Sequence, residues 1–254
     1  MIDALYVAET GLQAGQKQIE TISNNMANLN TVAYKKSRVA FGDLVSRQPA
    51  ASAAEGKGIG SVGMGTKVAE VSMQFDSGDL KATENQLDLA IRGDGFFEVL
   101  LENGEYGYTR NGALKIDEDG YLSTLTGLRL SDQIQIPPDA SKMQISTDGV
   151  VKVLIGEDVL EVGEIQLAKF VNDQALESAG QGLYIPADDA GAPLYSQAGV
   201  NGLGMIQQGF LESSNVDLVK ELVELVTAQR GYQANSHVIR AADEIMQITN
   251  DLRG

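Results

Sequence analysis

Hydrophobic positions repeat with a helical period at the two ends of this chain and with a strand period between them. From Leu5, the residues Ala8, Leu12, Gly15, Ile19, Ile22, Met26 and Leu29 follow in alternating steps of three and four. That is the spacing of a coiled-coil seam, and it predicts a helix over residues 1–30. Near the other end Leu218, Leu225, Tyr232, Ile239 and Met246 recur every seven, with Leu222, Gln229, Ser236 and Asp243 at the intervening positions. Ser214 and Asn215 are good N-cap types and Asp217 follows where the helix dipole favours an acid, so a second helix is predicted over 215–254. Val219, Val223 and Val226 widen its stripe early, and Ile245, Ile248 and Leu252 widen it late. The two helices could pair within one chain as an antiparallel hairpin. Two helices of about 30 and 40 residues cannot bury both faces on each other, however, and apolar area left over on that scale marks an interface. Intermolecular coiled-coil packing is the sharper expectation.

The middle reads as short strands separated by turns. Leu87 to Arg92 and Phe96 to Leu101 are strand-like and joined by Gly93-Asp94-Gly95. Asn103-Gly104, Asn111-Gly112, Asp119-Gly120, Asp148-Gly149 and Asn201-Gly202 are turn pairs that tolerate positive φ. Residues 46–66 are small, Gly-rich and weakly hydrophobic, which suits an extended connector. The expected fold class is α+β. Residues 1–30 with 215–254 form a helical assembly domain, 31–69 a partly extended connector, and 70–214 a mainly-β domain. Proline and glycine support this division: all five prolines lie between positions 49 and 193, and only four of the 28 glycines fall in the helical ends.

Charge sharpens the picture. The chain of 254 residues carries 35 acids and 19 bases, net −16; each helical end holds −2, which leaves −12 on residues 31–214. A surface this acidic argues against nucleic acid or an anionic membrane as partner. With no Cys and one His, disulfides, thiolate nucleophiles and Cys- or multi-His metal sites are excluded. No apolar run approaches the roughly 18 residues of a membrane span, and the sequence opens Met1-Ile2-Asp3 without the basic n-region of a signal peptide. Neither a cofactor nor a metal is expected.

Several motifs suggest chemistry and fail on spacing. Gly93-Asp94-Gly95-Phe96-Phe97-Glu98 has Glu98 where a dinucleotide loop needs its third glycine. Gly60 to Gly65 ends Thr66-Lys67, the reverse of a phosphate loop. Asp117-Glu118-Asp119-Gly120 resembles part of a calcium loop, yet its glycine comes too early and Leu128 stands at the twelfth position. Glu98, Glu102, Glu105, Asp117 and Glu118 could supply a carboxylate pair for glycan hydrolysis, the alternative from another functional class. His237 falls mid-helix, with no G-x-S-x-G anywhere in the chain. Asn25 and Asn28 flank the seam residues Met26 and Leu29, where a buried amide fixes register between helices.

Taken together, Gly11-Leu12-Gln13-Ala14, Ile22 to Asn28, Asn30 to Lys35, Phe41-Gly42-Asp43-Leu44, Leu87 to Ile91 with Gly93 to Phe97, Tyr108 to Gly112, Asp119 to Leu122, Gln208 to Val216 and Ala228 to Ser236 resemble, in order and spacing, the rod and hook protein family of the bacterial flagellum. The resemblance covers essentially the whole chain. It departs at Ala33, where the family usually has Gly, and at Gly231, where Ala is usual. What it implies is a non-enzymatic structural subunit that polymerises helically into the rigid rod transmitting torque from motor to hook. Length and the 46–66 connector favour the distal rod over the proximal rod, and hook subunits are usually longer. The implied partners are other copies of itself, proximal rod and hook subunits, the rings around the rod and the flagellar type III export apparatus. The implied location is the periplasm-spanning basal body, reached without a cleaved signal peptide.

The expected assembly contacts are Leu5, Leu12, Ile19, Ile22, Asn25, Met26, Asn28 and Leu29 on the first helix. On the second they are Leu218, Leu222, Leu225, Tyr232, Ile239 and Met246. Phe41 and Val45 are the expected export-recognition pair, and Ile59, Val62 and Met64 the expected inter-subunit contacts of the connector.

Overall fold

A computed structural model describes residues 2–47 and 61–251 of the chain. They group into two compact units. One comprises residues 1–27, 37–72 and 217–254; the other comprises 28–36 and 73–216.

The first unit is built on helix α1 (Ile2–Ala27), strands β1 (Ser37–Arg47) and β2 (Ser61–Met73), and helix α2 (Leu218–Asp251). Helix α1 stops at Ala27 rather than Asn30, because Asn28-Leu29-Asn30 form a turn closed by Thr31 N–H donating to the Asn28 carbonyl at 3.1 Å. Asn is a weak helix former whose side chain competes for the backbone. Helix α2 begins at Leu218 because the Asp217 carboxylate accepts from the amides of Val219 at 3.0 Å and Lys220 at 3.3 Å. Asp217 is therefore the cap, and Asn215 has other duties. Strands β1 and β2 pair with each other, so within the expected connector residues 37–47 and 61–69 are paired strand, while 31–36 are turn and coil. Strand β2 meets α1 at Gly65: its φ is +108°, and a Cβ there would stand 2.2 Å from Thr10 Oγ1. Only glycine fits that approach.

The second unit is all β apart from two single 3-10 turns. Its strands begin with β3 (Leu80–Ala82), β4 (Leu89–Arg92), β5 (Phe96–Leu100), β6 (Tyr106–Thr109), β7 (Leu114–Ile116) and β8 (Leu122–Thr124). They continue with β9 (Lys142–Ile145), β10 (Val150–Ile155), β11 (Asp158–Glu164), β12 (Gln166–Lys169), β13 (Leu176–Gly180) and β14 (Leu183–Pro186). The last are β15 (Leu194–Gln197), β16 (Met205–Gln208) and β17 (Phe210–Glu212).

An antiparallel six-stranded sheet in the order β13-β14-β6-β5-β12-β15 is the frame. Phe96 and Phe97 are adjacent and both buried because successive strand residues face opposite sides. Phe97, with Val99 and Leu167, enters the larger core; Phe96, with Tyr108, Ala168 and Tyr184, enters a second, aromatic one. Strands β4 and β5 flank Gly93-Asp94-Gly95 as expected but do not form a hairpin, since β4 pairs with β16. The dinucleotide-like loop thus leads into a strand and cannot aim a helix N-terminus at a phosphate.

Candidate functional site

In the first unit α1 and α2 run antiparallel along each other: Gly11 faces Asn235, Gly15 faces Tyr232, and Asn25 reaches Glu221. Small residues set this close approach. Ala8 and Ala14 are buried, and a Cβ on Gly11 would come within 2.5 Å of the Asn235 amide. Ile22 is buried, and Leu5, Leu12, Ile19 and Met26 are half-buried. Leu29 and Asn28 lie past the helix end, where Asn28 Oδ1 accepts from the Thr31 hydroxyl.

On α2 the row expected every seven residues is only partly inward. Leu225 and Ile239 are half-buried, whereas Leu218, Tyr232 and Met246 are exposed. Contact with α1 within the chain uses a neighbouring row. Glu221, Ala228 and Ala242 are the buried residues, one position before Leu222, Gln229 and Asp243. Close helix approach selects the small side chains, and the larger Leu222 turns outward at 43% exposure.

Asn25 hydrogen-bonds within the chain. It is buried, its Oδ1 accepts from Ser37 N–H at 2.9 Å, and its Nδ2 donates to Ser37 carbonyl at 2.9 Å and to Glu221 Oε2 at 3.3 Å. One amide thereby ties α1 to β1 and to α2.

The pairing leaves apolar surface uncovered. Along the start of α2, Val219, Val223 and Val226 are 70%, 62% and 47% exposed, beside Leu218 and Leu222. Steps of four and three put the valines in one ridge. Val238, Ile245 and Ile248 form another exposed stretch. Phe41 and Val45, four apart on β1, are exposed on the same strand face, and Met64 on β2 is exposed too. Ile59 and the Val62 side chain lie outside the described residues.

The second unit holds an internal site that spacing could not reveal. Lys35 and Glu212 have no side-chain exposure, and Lys35 Nζ lies 2.7 Å from Glu212 Oε1 and 2.8 Å from the Asp76 carbonyl. Gly78 N–H donates to the same Oε1 at 2.8 Å. Arg110 donates to the Gly93 carbonyl at 2.7 Å, stands 3.8 Å from Glu212 Oε2 and lies over the Phe96 ring. Burial lowers the pKa of both Lys35 and Arg110, and Glu212 opposes that fall. Asn215 completes the closure: its amide donates to the Gln74 carbonyl and its oxygen accepts from Lys36 N–H, both at 2.8 Å. These contacts lock residues 33–36 to 212–215, where the chain passes into and out of the unit.

Two of the candidate catalytic carboxylates, Glu98 and Asp117, are engaged in structure. Glu98 accepts from the Tyr108 hydroxyl at 3.0 Å and from the Tyr195 hydroxyl. Asp117 caps the hairpin turn through the amides of Asp119 and Tyr121, and Arg129 bridges Asp117 and Asp119. Asp117 is held below its ordinary pKa, against some desolvation, by Tyr121 N–H and Arg129. This is a hairpin turn and not a calcium loop. Asp132, close to Glu98 and Glu164, is pushed up to about 6 by burial. No described helix is long and apolar enough to cross a membrane.

Comparison with known proteins agrees with these features. Residues 5–35 match the flagella basal body rod protein family, 90–153 the flagellar hook protein FlgE/F/G D1 domain, and 207–252 the flagellar basal body rod FlgEFG protein C-terminal family. The chain is 37% identical over 260 residues to flagellar basal-body rod protein FlgG of Buchnera aphidicola subsp. Schizaphis graminum, covering 99% of this chain and 100% of that one. It is 39% identical to the protein of that name in Caulobacter vibrioides, over 99% and 100% of the two chains. For Bacillus subtilis the identity is 37%, over 97% of each. The three matched spans contain Lys35, Arg110 and Glu212, the residues of the buried cluster.

Proposed function

The chain belongs to the flagellar basal-body rod protein family, and from that premise we propose that its helical unit is the surface through which copies stack into a helical rod. It is a structural subunit of the basal body, with no catalytic role. Its position is the distal rod, the drive shaft that carries torque to the hook. Proximal rod and hook subunits meet it at the two ends of that shaft. The acidic β unit faces outward to the surrounding rings. The subunit reaches the periplasm through the flagellar type III export apparatus, with exposed Phe41 and Val45 as its recognition pair. Ile59, Val62 and Met64 contribute contacts between neighbouring subunits.

The observation that carries this reading is the valine ridge of α2. The two helices already pair with each other, yet Val219, Val223 and Val226 remain open to solvent. Three exposed valines in one line, flanked by two exposed leucines, cost solubility in a protein that stays alone. In a polymer they are buried, each contributing about 1–2 kcal/mol. The glycan hydrolase alternative is disfavoured, because Glu98 and Asp117 are committed to tyrosine, backbone and arginine partners.

The test is sedimentation of the purified chain against its Val223→Asp variant. The wild type pellets as filaments above a threshold concentration; the variant stays soluble with an unchanged melting temperature. A wild type that remains monomeric at every accessible concentration contradicts the reading.

A further inference from the structure

Among the described residues, the helical unit also presents an open groove. Gly11, Gly15, Phe41, Thr66, Gly231 and Tyr232 line an open depression of about 380 Å³. A cavity of about 150 Å³ already accepts a benzene ring, so this one has room for about two apolar side chains. Its depth comes from glycines. No described atom stands within 4 Å of where a Gly231 Cβ would be, and Gly15 lies against the flank of Tyr232.

We infer that this groove receives the Val219, Val223 and Val226 ridge of a second copy of the chain. The inference rests on the assembly reading above and adds the partner surface to it. Charge selects the occupant. Two copies of a chain at net −16 repel wherever their acidic surfaces meet, yet every residue lining the groove is uncharged. The ridge is apolar: of the charged residues between its valines, Lys220 is paired with Asp217, Glu221 is buried, and exposed Glu224 stands about 100° or more round the helix from each valine. Apolar knobs thus meet a neutral hole that holds about two of them. Geometry selects the outcome. Ridge and groove are different patches of one molecule, so copies related by a screw operation meet head-to-tail, with a ridge open at one end and a groove at the other. Repeated, that contact propagates into a filament, whereas a reciprocal two-fold contact closes as a dimer and leaves no polymer to pellet.

Two experiments test this. First, Gly231→Leu fills the groove from within. Open space and higher helix propensity keep the variant folded, with a melting temperature no lower than wild type. Pelleted polymer falls at least tenfold. Second, the absence of native Cys allows cross-linking by single substitutions. Val223→Cys and Gly231→Cys are eight residues apart on one helix, about 12 Å, beyond the reach of an intramolecular disulfide. An equimolar mixture of the two single variants, oxidised under polymerising conditions, gives a disulfide dimer that neither variant gives alone. If the wild type polymerises while Gly231→Leu assembles normally and no mixed dimer appears, the groove assignment is overturned and the assembly reading stands. If the wild type fails to polymerise, both are overturned.

Discussion

Lys35 and Glu212 form a fully buried ion pair at 2.7 Å between residues 177 positions apart. Arg110 stands on the other side of the same carboxylate, so one anion holds two buried cations where the chain passes into and out of the β unit. Replacing Glu212 by Ala leaves both without a counter-charge. Removing one partner of a buried pair costs about 3–5 kcal/mol. The urea midpoint of the β unit is expected to fall accordingly. A shift below about 1 kcal/mol would mean that the site rehydrates or that Lys35 turns out to solvent.

Ala33 concerns the same closure. Its φ is +56°, it is 2% exposed, and its N–H donates to the Glu212 carbonyl at 2.8 Å. An L-residue in the left-handed region costs about 1–2 kcal/mol, part of which Gly returns as unfolded-state entropy. Ala33→Gly is therefore expected to stabilise the unit by up to about 1 kcal/mol, and Ala33→Val to destabilise it. Equilibrium urea unfolding decides the sign for each.

Asp132 gives the β unit a pH dependence. Its pKa is raised from 3.8 to about 6 by burial, with Glu98 and Glu164 adding to the shift and Gln166 N–H opposing it. The folded state binds this proton more tightly than the unfolded state, so stability falls as pH rises from about 4 through 6. Asp132→Asn removes that slope and stabilises the unit at pH 7.5 by on the order of 1–2 kcal/mol, the shift being discounted for partial solvation. Thermal melts of the two proteins between pH 4.5 and 7.5 should converge at the acid end. Parallel curves across that range would count against the assignment.

Asn25→Ala removes three hydrogen bonds that join α1 to Ser37 and Glu221. Each buried partner left unsatisfied costs about 1–3 kcal/mol. Hydrogen exchange at the Ser37 amide should accelerate more than tenfold, while the amides of β5 and β10 keep their protection. Acceleration spread evenly over both units would contradict this local role.

The helices, the β middle and its turns were legible because each rests on a local rule. Steps of three and four from Leu5 to Met26 became α1, and Gly104, Gly120, Gly149 and Gly202 do adopt positive φ. Within the chain α2 packs through the row containing Ala228 and Ala242, one position before Leu222, because close helix approach favours small side chains that a count of hydrophobes passes over. Asn215 read as a helix cap because its type suits one, while its partners Gln74 and Lys36 come together only in the fold. Lys35, Arg110 and Glu212 stood inside motifs carrying the family resemblance, and their mutual contact has no sequence spacing to announce it.

The central claim is that copies meet through the helical unit, and helical reconstruction of the polymer by electron microscopy tests it most directly. The account predicts α1 and α2 of neighbouring copies in contact along the axis, with the ridge of Val219, Val223 and Val226 buried between copies. A polymer joined only through its β units, with that ridge still facing solvent, would contradict it.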